Sequence, residues 1–164
     1  MAINEAFIVE IQQEAISTRK MLERIPAEAF DWKPHEKSMS MKQLSVLVAD
    51  MFGWFVLMLD EDELDFAKGG KQPDPKTTQE LIDIFDSKAA AGLKCLRNAA
   101  DSVFAEDWTL RNGDQIYMKL PKLEVVRQTI NHMAHHRGQL SVYLRLKDIP
   151  VPQIYGPSAD EGWT

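Results

Sequence analysis

The sequence predicts an all-α fold, a four-helix bundle interrupted by one short β-hairpin before the last helix. Three observations predict it. Four long stretches carry apolar residues at three- and four-residue spacing, the period of a helix that buries one face. Asn112-Gly113, between "WTLR" and "DQIYMKL", is a hairpin signal in an otherwise helical pattern. The 164 residues are enough for one domain with a proper core, spanning 1–164, and too few for two.

The first helix covers Ile3 to Ile25, with Ile8, Ile11, Ala15, Leu22 and Ile25 on one face and Glu, Gln, Arg and Lys on the other. Pro26 ends it, and "PAEAFDWKPHEKSMS" is a connector. Ser40 then has the chemistry of an N-cap for "MKQLSVLVADMFGWFVLML", whose Leu44, Leu47, Met51, Trp54 and Met58 face a core. The acidic, Gly- and Pro-containing "DEDELDFAKGGKQPDPKTT" reads as a mobile surface loop. A third helix spans Thr77 to Ala100, with Leu81, Phe85, Ala89, Gly92, Leu96 and Ala99 inward. After the hairpin, Pro121 opens a fourth helix reaching about Leu146, because its missing N–H costs nothing in a first turn. "DIPVPQIYGPSADEGWT" is an irregular tail in which Tyr155-Gly156-Pro157 is a docking turn.

Composition excludes several function classes. Nineteen basic against 25 acidic residues give a net charge of −6, with no dense basic face, which argues against a nucleic-acid partner. No apolar run approaches the ~20 residues of a membrane span, and "MAINEAFIVEIQQEA" lacks the basic region and apolar core of a signal peptide. The single Cys95 rules out an intrachain disulfide and suits a reducing compartment, so the expected location is the cytoplasm.

The chemistry concentrates in "NHMAHHRGQLSVYLRL", which holds three of the four histidines. His132 and His136 are four apart, about 40° round a helix, with Thr129, Gln139 and Tyr143 in the same sector. The apolar face beside them is Val126, Ile130, Met133, Leu140 and Leu144, so the pair borders the core. Such a pair can converge on one divalent ion. It can equally be two border histidines bonded to backbone or water. The residues between them lack the Glu of a zincin motif. Arg137 suits an ion pair, Gly138 a close helix approach, and His35 a brace for the connector. Cys95 has no histidine at a partner position and reads as a small core residue. The acidic run 60–65 lacks EF-hand spacing and reads as a solvated loop.

"NHMAHHRGQLSVYLR", followed by "DIPVPQIYGPSADE", resembles the DinB-like (YfiT-like) superfamily of metalloenzymes, and "WKPHEKSMS" and "ADMFGW" resemble that family's connector and second helix. The resemblance covers nearly the whole chain. It implies a bundle of up-down-down-up order, a homodimer, and a divalent ion held by three histidines. The family's reactions are mostly unassigned and include thiol S-transfer and hydrolysis. The histidine pair of its last helix carries over to His132 and His136. Aligning Ser38-Met39-Ser40, Leu44 and Gly53-Trp54 puts Leu47 where the third histidine belongs. Leucine cannot ligate. Asp50, about 60° round from Leu47, is a possible third ligand, although relatives that keep the histidine often carry an acid there too.

The resulting expectation is a DinB-like protein of unassigned reaction with a degenerate site, binding zinc or nickel weakly or not at all. Trp54, Gln139 and Tyr143 are expected around an unknown small molecule. One alternative is an active metal-dependent hydrolase or thiol S-transferase, with Asp50 or water completing the shell. Another is a metal-free dimeric small-molecule-binding or stress-related protein. Ile3, Phe7 and Ile16, outside the main stripe of the first helix, are the expected dimer surface.

Overall fold

A computed structural model describes residues 2–163 as α1 (Ile3–Glu23), α2 (Met41–Asp50), α3 (Trp54–Asp60), β1 (Glu63–Asp65), α4 (Thr78–Asn98), β2 (Asp107–Asn112), β3 (Gln115–Pro121) and α5 (Lys122–Leu146). The predicted helices are present, and local side chains explain most of their ends. Ser40 Oγ accepts from Gln43 N while Gln43 Oε1 accepts from Ser40 N, a reciprocal cap on α2. Thr77 Oγ1 accepts from Glu80 N at the start of α4. Helix α1 has only half of such a cap, Glu5 Oε2 accepting from Ala2 N at 3.1 Å, and its start is also tied to the far end of α4. Asp101 accepts from Ile3 N at 2.9 Å, and Asn4 Nδ2 donates to the carbonyls of Leu96 and Ala99.

The second helical arm differs from the single helix expected. A 3-10 turn at Met51–Gly53 separates α2 from α3 where α4 passes closest. A Cβ built on Gly92 of α4 would stand 2.1 Å from the Phe52 carbonyl oxygen, so only glycine fits there. Beside that contact, Phe52 packs edge-on against Phe85 with ring centroids 5.0 Å apart. By length and composition the whole arm, Met41–Asp60, could cross a membrane, which corrects the expectation that no run is apolar enough. Its apolar residues are spent otherwise: Leu44, Val48, Met51, Phe52 and Phe55 are fully buried in the bundle core.

The excursion is a three-stranded sheet, not a bare hairpin. Part of the stretch expected as a mobile loop forms β1, parallel to β2 through Glu63↔Thr109, Leu64↔Leu110 and Asp65↔Arg111. Three polar-flanked residues have too little period to announce a strand, and their partners lie more than 40 positions away. Strand β3 pairs antiparallel with β2, with a register shift between Leu110 and Arg111. The hairpin loop is Gly113-Asp114, one residue later than expected. Gly113 has φ +58° in the first loop position, where a two-residue turn of this kind needs glycine. The acidic run is also more than a solvated loop. Arg111 bonds both Glu63 oxygens at 2.8 Å, and the buried Lys122 ammonium reaches the Leu59 carbonyl, Asp62 and Glu106.

Helix α5 is locked to α1 by a buried charge pair. Arg137 Nη1 lies 2.5 Å from Glu14 Oε2 and also donates to Thr18 Oγ1 and the Glu14 carbonyl. The Tyr155 hydroxyl from the tail donates to Glu14 Oε1 at 2.9 Å and accepts from Arg137 Nη2 at 2.5 Å, so the tail docks by closing this network. Arg137 is therefore an interhelical ion pair, one of the roles its chemistry allowed. Gly138 makes no close approach, since a Cβ there meets open space. At the C-terminus of α5, Asp148 takes φ 55° while Ile149 N donates to the Leu144 carbonyl and Asp148 N to that of Arg145, which turns the chain into the tail.

Candidate ligand and metal site

Helix α5 presents Val125, Gln128, Thr129 and His132 at i, i+3, i+4 and i+7, one continuous stripe. Opposite stand Trp54, Leu57 and Met58 of α3. The sheet closes the third side with Leu64, Leu110 and Met118, which form one row across β1, β2 and β3. With Phe66 and Trp108 these residues enclose a cleft of about 380 Å³. Both indoles have their polar atom tied off within the fold. Trp54 Nε1 donates to Asp50 Oδ2 at 3.0 Å and Trp108 Nε1 to the Leu57 carbonyl at 3.2 Å. Both rings therefore line the cleft without a free N–H.

The histidine pair stands at the His132 end of that cleft. The two Nε2 atoms are 2.8 Å apart, and His136 Nδ1 is 2.7 Å from Gln139 Oε1. With Gln139 Oε1 accepting from His136 Nδ1–H, Nε2 of His136 is left with a lone pair, and the 2.8 Å contact between the two Nε2 atoms needs one proton, which a bound ion would replace. Gln139 thus fixes the tautomer that a metal-binding imidazole needs. The His132 ring lies 5.9 Å from the Trp54 ring, and the three histidines are contiguous, with His135 5.1 Å from His136. Although the edge of His132 stays open to solvent, loss of water around the ring and the neighbouring His136 and His135 hold its pKa below the ordinary histidine value.

The other expected site residues have contacts of their own. Asp50 is committed elsewhere, accepting from Trp54 through one oxygen and meeting Lys88 Nζ at 2.7 Å through the other. Leu47, half-buried, packs against the core. Among the described residues no three of His, Cys, Asp and Glu gather into a group that could hold an ion. The donor set therefore fits an ion held by two nitrogens and does not fit a three-ligand zinc shell. Of the three expected pocket residues, Trp54 lines the cleft and Gln139 serves the histidine pair. Tyr143 braces the connector, donating to the Met39 carbonyl at 3.2 Å with its ring edge-on to Trp32. His35 accepts from Lys37 N within its own turn. Cys95 is half-buried with its thiol 3.3 Å from Asp60 Oδ1, and burial, then the Asp60 hydrogen bond and charge, pushes its pKa up to about 12. It is no nucleophile at neutral pH.

Sequence reading missed the sheet's share of the cleft. The alternations Trp108, Leu110 and Leu64, Phe66 were the available signal for inward strand faces, each only one period long.

Comparison with known proteins gives one consistent neighbourhood. A family model described as the DinB family matches residues 1–163. The chain is 24% identical over 157 residues to the uncharacterized protein YrdA of Bacillus subtilis (strain 168), covering 94% of this chain and 89% of that protein. The crystal structure of a DinB-like protein (YjoA) from Bacillus subtilis superimposes with a TM-score of 0.72 at 17% identity, covering 91% of this chain and 96% of the other. A DinB-like protein from Bacillus cereus ATCC 10987 gives 0.68 at 21%, covering 92% and 97%.

Proposed function

This chain belongs to the DinB family, and on that premise we propose that it is a small-molecule-binding member whose ion position is reduced to the His132–His136 pair. The pair takes zinc or nickel weakly and reversibly, with water filling the remaining positions. One observation carries the reading: two Nε2 atoms converge to 2.8 Å, beside Gln139, at the end of an apolar cleft and without a third ligand among the described residues. The alternative of an active metal-dependent hydrolase or thiol S-transferase requires Asp50 to leave both Trp54 and Lys88, which counts against it. The same reading makes the protein a homodimer in an up-down-down-up bundle, and the lone Cys95 supports the cytoplasm as its compartment.

Calorimetric titration of the untagged protein with zinc tests the metal half of the proposal. The expected result is a one-to-one complex with a dissociation constant of micromolar order or weaker, abolished by His132→Ala and by His136→Ala. Stoichiometric zinc that survives dialysis against a mild chelator would mean that another residue completes the shell.

A further inference from the structure

The cleft itself has a chemistry that names its ligand class, and this deepens the reading of that site as a small-molecule pocket. Two indole rings, two methionines and four aliphatic side chains make up most of its wall, and no Asp, Glu, Lys or Arg lines it among the described residues. A charged ligand would lose its water there and meet no counter-charge, a cost that a neutral one avoids. Polar function is confined to the α5 stripe. Thr129, buried, spends its hydroxyl hydrogen on Met58 Sδ at 3.4 Å and keeps its lone pairs. The half-buried Gln128 amide has no side-chain partner among the described residues, so it offers both a donor and an acceptor. A volume of about 380 Å³ accommodates on the order of a dozen non-hydrogen atoms, taking about 30 Å³ for each as in liquid water.

The geometry points to an uncharged, largely aromatic small molecule with one hydrogen-bonding end, its flat body between Trp54, Trp108 and the sheet row and its polar end on Gln128 and Thr129. The flat body follows from two indole rings in the lining whose N–H groups are already hydrogen-bonded, which leaves a ligand only their apolar ring surface. The single polar end follows from a polar stripe on one wall alone.

Three probes that share one biphenyl body test this: 4-phenylphenol, 4-phenylbenzoate and 4-phenylbenzylammonium, titrated calorimetrically in the presence of a chelator. The expected result is a dissociation constant on the order of tens of micromolar for the phenol, with both charged analogues at least tenfold weaker. Met118→Trp should fill the cleft and abolish the phenol's binding. Should that variant fail to fold, the ε-methyl resonances of Met58 and Met118 in the wild type serve instead and should shift on adding the phenol. Gln128→Leu should weaken the phenol several-fold, and binding measured in the chelator does not depend on zinc. The zinc reading and the ligand reading therefore fail separately. No binding of the phenol, binding that survives Met118→Trp without moving the two methyl signals, or tighter binding of either charged analogue would overturn the proposal.

Discussion

At the scale of single residues, the fold decides which reactive side chains are available for chemistry, and Cys95 is the simplest case. Its thiol donates toward Asp60, and a thiolate there would face a carboxylate from a partly dehydrated position, so its pKa rises to about 12. Alkylation by iodoacetamide at pH 8 should be slower by about a hundredfold or more in the native protein than in denaturant. Equal rates would contradict the Asp60 contact. His132 moves the opposite way for the same physical reason. With its folded pKa below the unfolded value of about 6.5, the native state binds fewer protons than the unfolded one. Its contribution is therefore fully present above that pH and is lost as pH falls through the window below it. The buried Arg137–Glu14 pair was legible only as a charge needing a partner. The chain does not announce that Glu14, on the polar side of an apparent stripe, turns inward, since its partner is 123 positions away.

At the scale of elements, periodicity carried the helices and failed where long-range contacts set the structure. The α4 and α5 spans were readable within two residues because caps and a repeating apolar face are local. The break at Met51–Gly53 was not, because its cause is α4 crossing the Phe52 carbonyl. That crossing gives the sharpest test at this scale. Gly92→Ala puts a methyl carbon 2.1 Å from a backbone oxygen that cannot swing away, so two elements must separate. A loss of about 3 kcal/mol is expected, seen as a melting temperature lower by roughly 10 °C. A change within 1 °C would mean that α4 does not approach that closely. Strand β1 escaped prediction for the same reason as the break. The helix-borne half of the site, His132, His136 and Gln139, was visible at i, i+4 and i+7, whereas the sheet row Leu64, Leu110 and Met118 exists only once three distant segments pair.

At the scale of the whole molecule, the residues of the expected dimer surface differ in exposure. Ile3 and Phe7 are partly buried against the bundle's own core, Phe7 against Phe104 with centroids 5.7 Å apart. Ile16 remains, 60% exposed, with Val9 at 66% seven residues before it on the same face of α1. A twofold contact along that face would cover both. Light scattering at micromolar concentration should give twice the chain mass of 18.7 kDa, and Ile16→Glu should return the monomer; a wild-type monomer would refute the dimer. The central claim is that one ligand position in this family site is vacant. Zinc titration of Leu47→His beside the wild type tests it most directly, with Leu47→Phe controlling for packing. The added imidazole should tighten zinc binding on the order of a hundredfold, in a metal-free variant less stable than wild type by about 1–3 kcal/mol. Zinc affinity unchanged from wild type in Leu47→His would contradict the vacancy, and the assignment of Leu47 to the third ligand position with it.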